Sequence, residues 1–175
     1  MLHSSYPNTE YMAKEIERQY IINTEHPEWE RMKKILPRKH YIQSTIHRGE
    51  GNKLRVNKNS KKDGPNIRDE YEWEVPYRVA LFIMIGHGEV IKTRYEYIHT
   101  DGKKWELDEY EGTNTGIVLA DIELSDEDEK FELPDWIGQE TTKEKRITNN
   151  SFTLHPYANW SEKEKSWYAS LRKRK

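Results

Sequence analysis

The sequence predicts an α+β fold in which antiparallel strands close around a polar interior and helices pack on the outside. Charged residues stand at alternate positions in segment after segment, and the positions between them are mostly aromatic or aliphatic. Successive side chains of a strand point to opposite faces, so each such segment has one charged and one apolar face. Composition agrees. Of the 175 residues, 34% are charged and only 34% hydrophobic, a balance that leans towards disorder, yet six Trp and eleven Tyr supply surface to bury. A closed sheet with a polar inner face reconciles these facts.

The elements follow in order. The first strand, 14–22, sets Glu15 and Glu17 on one face and Ile16, Tyr20 and Ile22 on the other. Two neighbouring carboxylates facing one way suit a divalent cation. A helix opens at Pro27, carries Trp29, Met32, Ile35 and Leu36, and closes before Pro37. Strands at 41–47 and 53–58 flank the turn Gly49-Glu50-Gly51-Asn52, and a polar, lysine-rich loop runs to residue 66. The strand 68–76 puts Glu70, Glu72 and Glu74 opposite Tyr71, Trp73 and Val75. Pro76 opens a helix through Val79, Leu81, Phe82 and Ile85, stopped by Gly86-His87-Gly88.

The strand 90–97 aligns Lys92, Arg94 and Glu96, and Thr100-Asp101-Gly102 turns it into a partner, 104–110, that pairs Glu106 with Asp108 on one face. The strand 117–124 sets Asp121 and Glu123 against Val118, Ala120, Ile122 and Leu124. Ser161-Glu162-Lys163-Glu164 has the form of a capping box and starts a final helix, which ends in the basic run Arg172-Lys173-Arg174-Lys175.

Charged faces converging on a shared interior are expensive unless the acids hold a metal ion and the bases hold an anion. About eight strands leave room inside for one small ligand. Magnesium takes one or two protein carboxylates, waters and phosphate oxygens, and Arg and Lys balance the rest of a polyphosphate. Other classes are excluded by composition or spacing. Lys and Arg number 29 against 31 acids, which provides no basic field for nucleic acid. There is no cysteine, no apolar run of roughly 18 residues and no signal-peptide pattern, so the expected location is cytoplasmic. The Gly49–Lys53 stretch lacks the spacing of a P-loop, the seven His have no zinc-ligand spacing, and Asp126-Glu127-Asp128-Glu129 lacks the glycine and distal glutamate of a calcium loop. No nucleophile elbow or other triad signature is present.

Several motifs in order resemble one family. Glu15-Ile16-Glu17-Arg18 is similar to the opening signature of the CYTH superfamily, the triphosphate tunnel metalloenzymes. Ile91-Lys92-Thr93-Arg94-Tyr95, Trp105-Glu106-Leu107-Asp108-Glu109-Tyr110-Glu111-Gly112 and Gly116-Ile117-Val118-Leu119-Ala120-Asp121-Ile122-Glu123-Leu124 resemble its later motifs. So do Leu133-Pro134-Asp135-Trp136-Ile137-Gly138-Gln139-Glu140, Lys145-Arg146 and His155-Pro156-Tyr157-Ala158-Asn159-Trp160.

The resemblance implies an eight-stranded antiparallel tunnel over residues 13–160, after an extension 1–12 and before a helical basic tail 161–175. It also implies Mg²⁺ or Mn²⁺ and a small-molecule triphosphate, with self-association as a homodimer left open. Glu15, Glu17, Asp108, Asp121 and Glu123 would serve the metal; Arg55, Arg68, Lys92, Arg94 and Arg146 the phosphates; Glu70 and Glu72 the catalytic water. The expected reaction is hydrolysis of inorganic tripolyphosphate. Gln19 stands where the family signature ends in Lys, and Asn57 where a second arginine is usual. The acidic half of the lining is therefore intact and the basic half depleted. The alternative is a weakened or inactive relative that binds a phosphorylated ligand or a protein partner, ahead of a class IV adenylyl cyclase or a thiamine triphosphatase.

Overall fold

The computed structural model describes residues 16–48, 53–57 and 88–174. Among these residues, seven strands form one antiparallel sheet: β1 (Ile16–Ile22), β2 (Arg38–Arg48), β3 (Lys53–Asn57), β4 (Glu89–Ile98), β5 (Lys104–Tyr110), β6 (Val118–Leu124) and β7 (Ile137–Glu140). Their order is β3-β2-β4-β5-β6-β1-β7, so among the described residues β3 and β7 are the edges. The helices are α1 (Pro27–Ile35), α2 (Asn149–Leu154) and α3 (Glu162–Ser170). The α+β class stands. The expected strand at 68–76 and the helix after Pro76 lie outside the described residues.

Local chemistry sets the boundaries. The His26 side chain accepts from the Glu28 amide at the start of α1, and Pro27 occupies the first turn, where its missing N–H costs nothing. Pro37 ends the helix by holding Leu36 in extended backbone (φ −77°, ψ 146°), and β2 begins at the next residue, three before the strand read from the sequence. The Thr100-Asp101-Gly102 turn is present, with Gly102 at φ +80°, a conformation that favours glycine. The expected capping box of α3 is complete: Ser161 accepts from the Glu164 amide, and the Glu164 carboxylate accepts from the Ser161 amide. The strand 117–124 was expected to be the last; β7 and α2 follow it. Thr148 caps α2, and the Asn149-Asn150-Ser151 triplet forms its first turn.

Each face of the sheet has its own core. On one, α1 lays Trp29 and Met32 against Tyr95, Trp105, Leu107 and Ile122, with Trp136 closing the edge. On the other, Ile21, Val90, Tyr110 and Leu119 form an apolar row that meets Phe152, Trp160 and Tyr168 from the C-terminal segment. Fully burying a large apolar side chain is worth roughly 1.5–3 kcal/mol, so α3 is an integral support of this face. Its Tyr168 hydroxyl locks on to both backbone groups of Val118, at 2.9 and 3.2 Å. The remainder of this second face carries the charged residues.

Candidate functional site

Register brings the charged side chains together. Arg94 on β4 pairs with Asp108 on β5; Glu106 on β5 pairs with Asp121 on β6; and Asp121 and Glu123 pair across to Gln19 and Glu17 on β1. Lys92 faces Tyr41 of β2. All these positions share the face that the apolar row and the C-terminal helices border, so four central strands hold one polar floor.

The geometry divides that floor in two. On the β4–β5 side, Arg94 donates from Nε and Nη2 to the two oxygens of Asp108, both at 2.6 Å. Its Nη1 bonds Glu106, and Lys92 Nζ bonds Asp108. Asp108 is only 1% exposed, and Lys92, Arg94, Glu106 and Asp121 are buried as well. Burial alone would raise the Asp108 carboxyl; the charges and hydrogen bonds of Arg94 and Lys92 reverse that and hold it down at about 2.

Among the described residues, the β6–β1 strands bring no cation to this face. Asp121 stands 3.8 Å from Arg94 Nη2, and its Oδ1 is buried with no hydrogen-bond partner among the described residues. Burial, followed by the nearby Asp108 charge, pushes its carboxyl up to about 7 against the partial relief of Arg94 and Lys92. Glu17 is raised well above the ordinary carboxylate range, first by burial and then by Asp121. The buried cations Lys92 and Arg94 bond Asp108 and Glu106, and Glu106 is also reached by Lys104 from the rim, so the excess negative charge collects around Glu17 and Asp121. Gln19, beside Asp121, is tied by its side-chain oxygen to Thr141 Oγ1 at 3.2 Å.

The remaining expected site residues differ in their surroundings. Glu123 lies opposite Glu17 and is exposed. Asp108, expected as a metal ligand, has both oxygens engaged by Arg94 and Lys92. Arg55 pairs with Thr45 in the β3–β2 register. Arg146 is exposed beside α3, bonded to Glu144 at 2.8 and 2.9 Å and stacked 3.5 Å over Trp167. Glu15, Arg68, Glu70 and Glu72 lie outside the described residues. Among the described residues, no three acidic or histidine side chains form a ready-made metal cage. Glu106 is the member of the cluster that the sequence reading left out of the site, although its alternation with Asp108 was the available signal.

The chain is similar to known inorganic triphosphatases. It is 41% identical over 98 residues to one from Acetivibrio thermocellus and 34% identical over 100 residues to one from Nitrosomonas europaea. Each match covers 54% of this chain and 62% or 65% of the relative, under two thirds of either relative's own length. The fold resembles the crystal structure of the inorganic triphosphatase NE1496, with a TM-score of 0.56 at 25% identity over 82% of this chain and 97% of that one. No protein-family model matches the chain. Among the described residues, no helix is long and apolar enough to cross a membrane.

Proposed function

We propose that this chain is a CYTH-type phosphohydrolase that cleaves a triphosphate, inorganic tripolyphosphate first among candidates, within a sheet completed to an eight-stranded tunnel. One observation carries the reading: a buried Lys92–Arg94 pair shares a sheet face with the acid-rich Glu17–Asp121 corner. The first suits phosphoryl oxygens and the second a divalent cation. The likeness to named inorganic triphosphatases in sequence and fold supports it.

The donor set fits Mg²⁺ or Mn²⁺. Two carboxylates, with Asp121 Oδ1 buried and unpartnered among the described residues, leave room for waters and phosphate oxygens, the coordination magnesium prefers. Glu17 and Asp121 would hold the ion, with Glu15 and Glu123 beside them, and when bound it supplies charge neutralisation and an activated water. The chain's own residues do the rest. Lys92 and Arg94 donate to the phosphoryl oxygens, where preorganised donors are worth most as charge develops. Asp108 fixes the planar guanidinium by a two-point bond and also accepts from Lys92. Glu70 and Glu72 are proposed to orient the attacking water, and Arg55 and Arg68 to extend the phosphate grip.

A second reading is a non-catalytic binder of a phosphorylated ligand. It is favoured by the ion pairing of Lys92 and Arg94 and by the uncharged Gln19 and Asn57. Phosphate release from tripolyphosphate, pyrophosphate, ATP and thiamine triphosphate, measured with each divalent ion, decides between them. The triphosphatase reading expects metal-dependent release from tripolyphosphate, lowered at least 100-fold in Glu17→Gln, on the scale of losing one transition-state contact. Ligand-induced stabilisation without turnover would leave the binder.

A further inference from the structure

We infer that Glu106 is a displaceable counter-ion: it occupies Arg94 when the site is empty of anion and moves to Lys104 when a phosphate arrives. This rests on the proposed reading that Arg94 receives a phosphoryl group. Arg94 has three engaged nitrogens, and the partners are unequal. Asp108 takes two of them at 2.6 Å and is the deepest acid on the floor. Glu106 takes the third with one oxygen, while its other oxygen already accepts from Lys104 Nζ at 3.1 Å.

A ladder of alternating charges continues outward. Lys104 lies 3.7 Å from Glu96, and Glu96 lies 3.3 Å from Lys39. Side-chain exposure is 10% at Arg94 and 11% at Glu106, and 36–63% at the outer members Lys104, Glu96 and Lys39. An anion approaching Arg94 would meet repulsion from Glu106 if that carboxylate stayed. Because the second cation is already in contact, Glu106 leaves Arg94 without passing through an unpaired state, which in a buried site would be costly. Asp108, held by two cations, has no such outlet and remains as the orienting group.

The test is a double-mutant cycle on the intact protein, following KM and kcat for tripolyphosphate with Mg²⁺ or Mn²⁺. Glu106→Gln keeps the shape and removes the competing charge, so KM falls about fivefold, the scale of one partly screened ion pair. Lys104→Gln removes the outlet, so Glu106 clings to Arg94 and KM rises by about the same factor. In the Glu106→Gln background, Lys104→Gln changes nothing. If Lys104→Gln raises KM equally in both backgrounds, Lys104 merely attracts the anion and the inference is overturned; no KM change in either single variant overturns it too. Where the wild type releases no phosphate, calorimetric Kd values for tripolyphosphate carry the same cycle, which separates a failed hydrolase from a failed counter-ion. A wild type that neither cleaves nor binds tripolyphosphate overturns both.

Discussion

The two halves of the polar floor each bury an aspartate and differ in the charges that surround it. On β4–β5, two cations enclose Asp108 so completely that its carboxyl titrates at about 2. On β6–β1, one strand away, Asp121 is also buried, and its carboxyl is pushed up to about 7. A buried carboxylate is stabilising where its charge is matched and costly where it is not. The first half is finished without a ligand. The second holds excess negative charge that a metal ion would relieve, which is how a site keeps affinity at the expense of fold stability.

The sharpest way to break this comparison is to remove the matched acid. Asp108→Asn leaves Arg94 and Lys92 buried with one counter-charge fewer, and losing one partner of a buried pair costs about 3–5 kcal/mol. Urea unfolding at neutral pH measures it. A loss below about 1 kcal/mol, the range of exposed pairs, would mean that water reaches these cations freely and that the halves do not differ.

Asp121→Asn has the opposite sign. A folded-state value near 7 against an unfolded value of 3.8 means that the native protein binds the extra proton, so stability falls as pH rises from about 4 to 7 and levels off above. For Asp108 the native state binds fewer protons, and stability is lost as pH drops from about 4 towards 2. In chelator-treated protein at pH 8, Asp121→Asn is expected to stabilise by about 2–4 kcal/mol and to flatten the segment between pH 4 and 7. The same variant should lose most of the melting-temperature rise that millimolar Mn²⁺ gives the wild type. A destabilised Asp121→Asn protein at pH 8 would show that this carboxylate is matched after all.

The sequence made the faces legible and the pairing less so. Period-two alternation put Lys92, Arg94, Glu106, Asp108, Asp121 and Glu17 on one side of their strands, and the register confirms that they share a floor. Alternation does not say which residue of one strand lies opposite which of the next. The family resemblance gave Asp108 to the metal, and register sets it opposite Arg94. The start of β2 was missed because Arg38, Lys39 and His40 have no apolar alternation of their own; they are strand because β4 is there to pair with. β7 was missed for a related reason. Its four residues have no strand pattern and are held by the neighbouring β1 and by Leu171, whose carbonyl accepts from the Gln139 amide.

Arg146 offers the smallest and most discriminating test. The family likeness assigned it to phosphate, on the strength of position in a motif, whereas its contacts are with Glu144 and the Trp167 ring at the surface. An exposed ion pair contributes about 0–1 kcal/mol and a cation over an indole about 0.5–1 kcal/mol more. Arg146→Gln should therefore lower stability by about 1 kcal/mol and leave KM for tripolyphosphate within about twofold. A large rise in KM with unchanged melting temperature would place this guanidinium in the anion's path and extend the basic half of the floor beyond β4. A loss of stability alone would confine that half to Lys92 and Arg94 among the described cations, and the balance between matched and unmatched acids would then govern how tightly the anion is held.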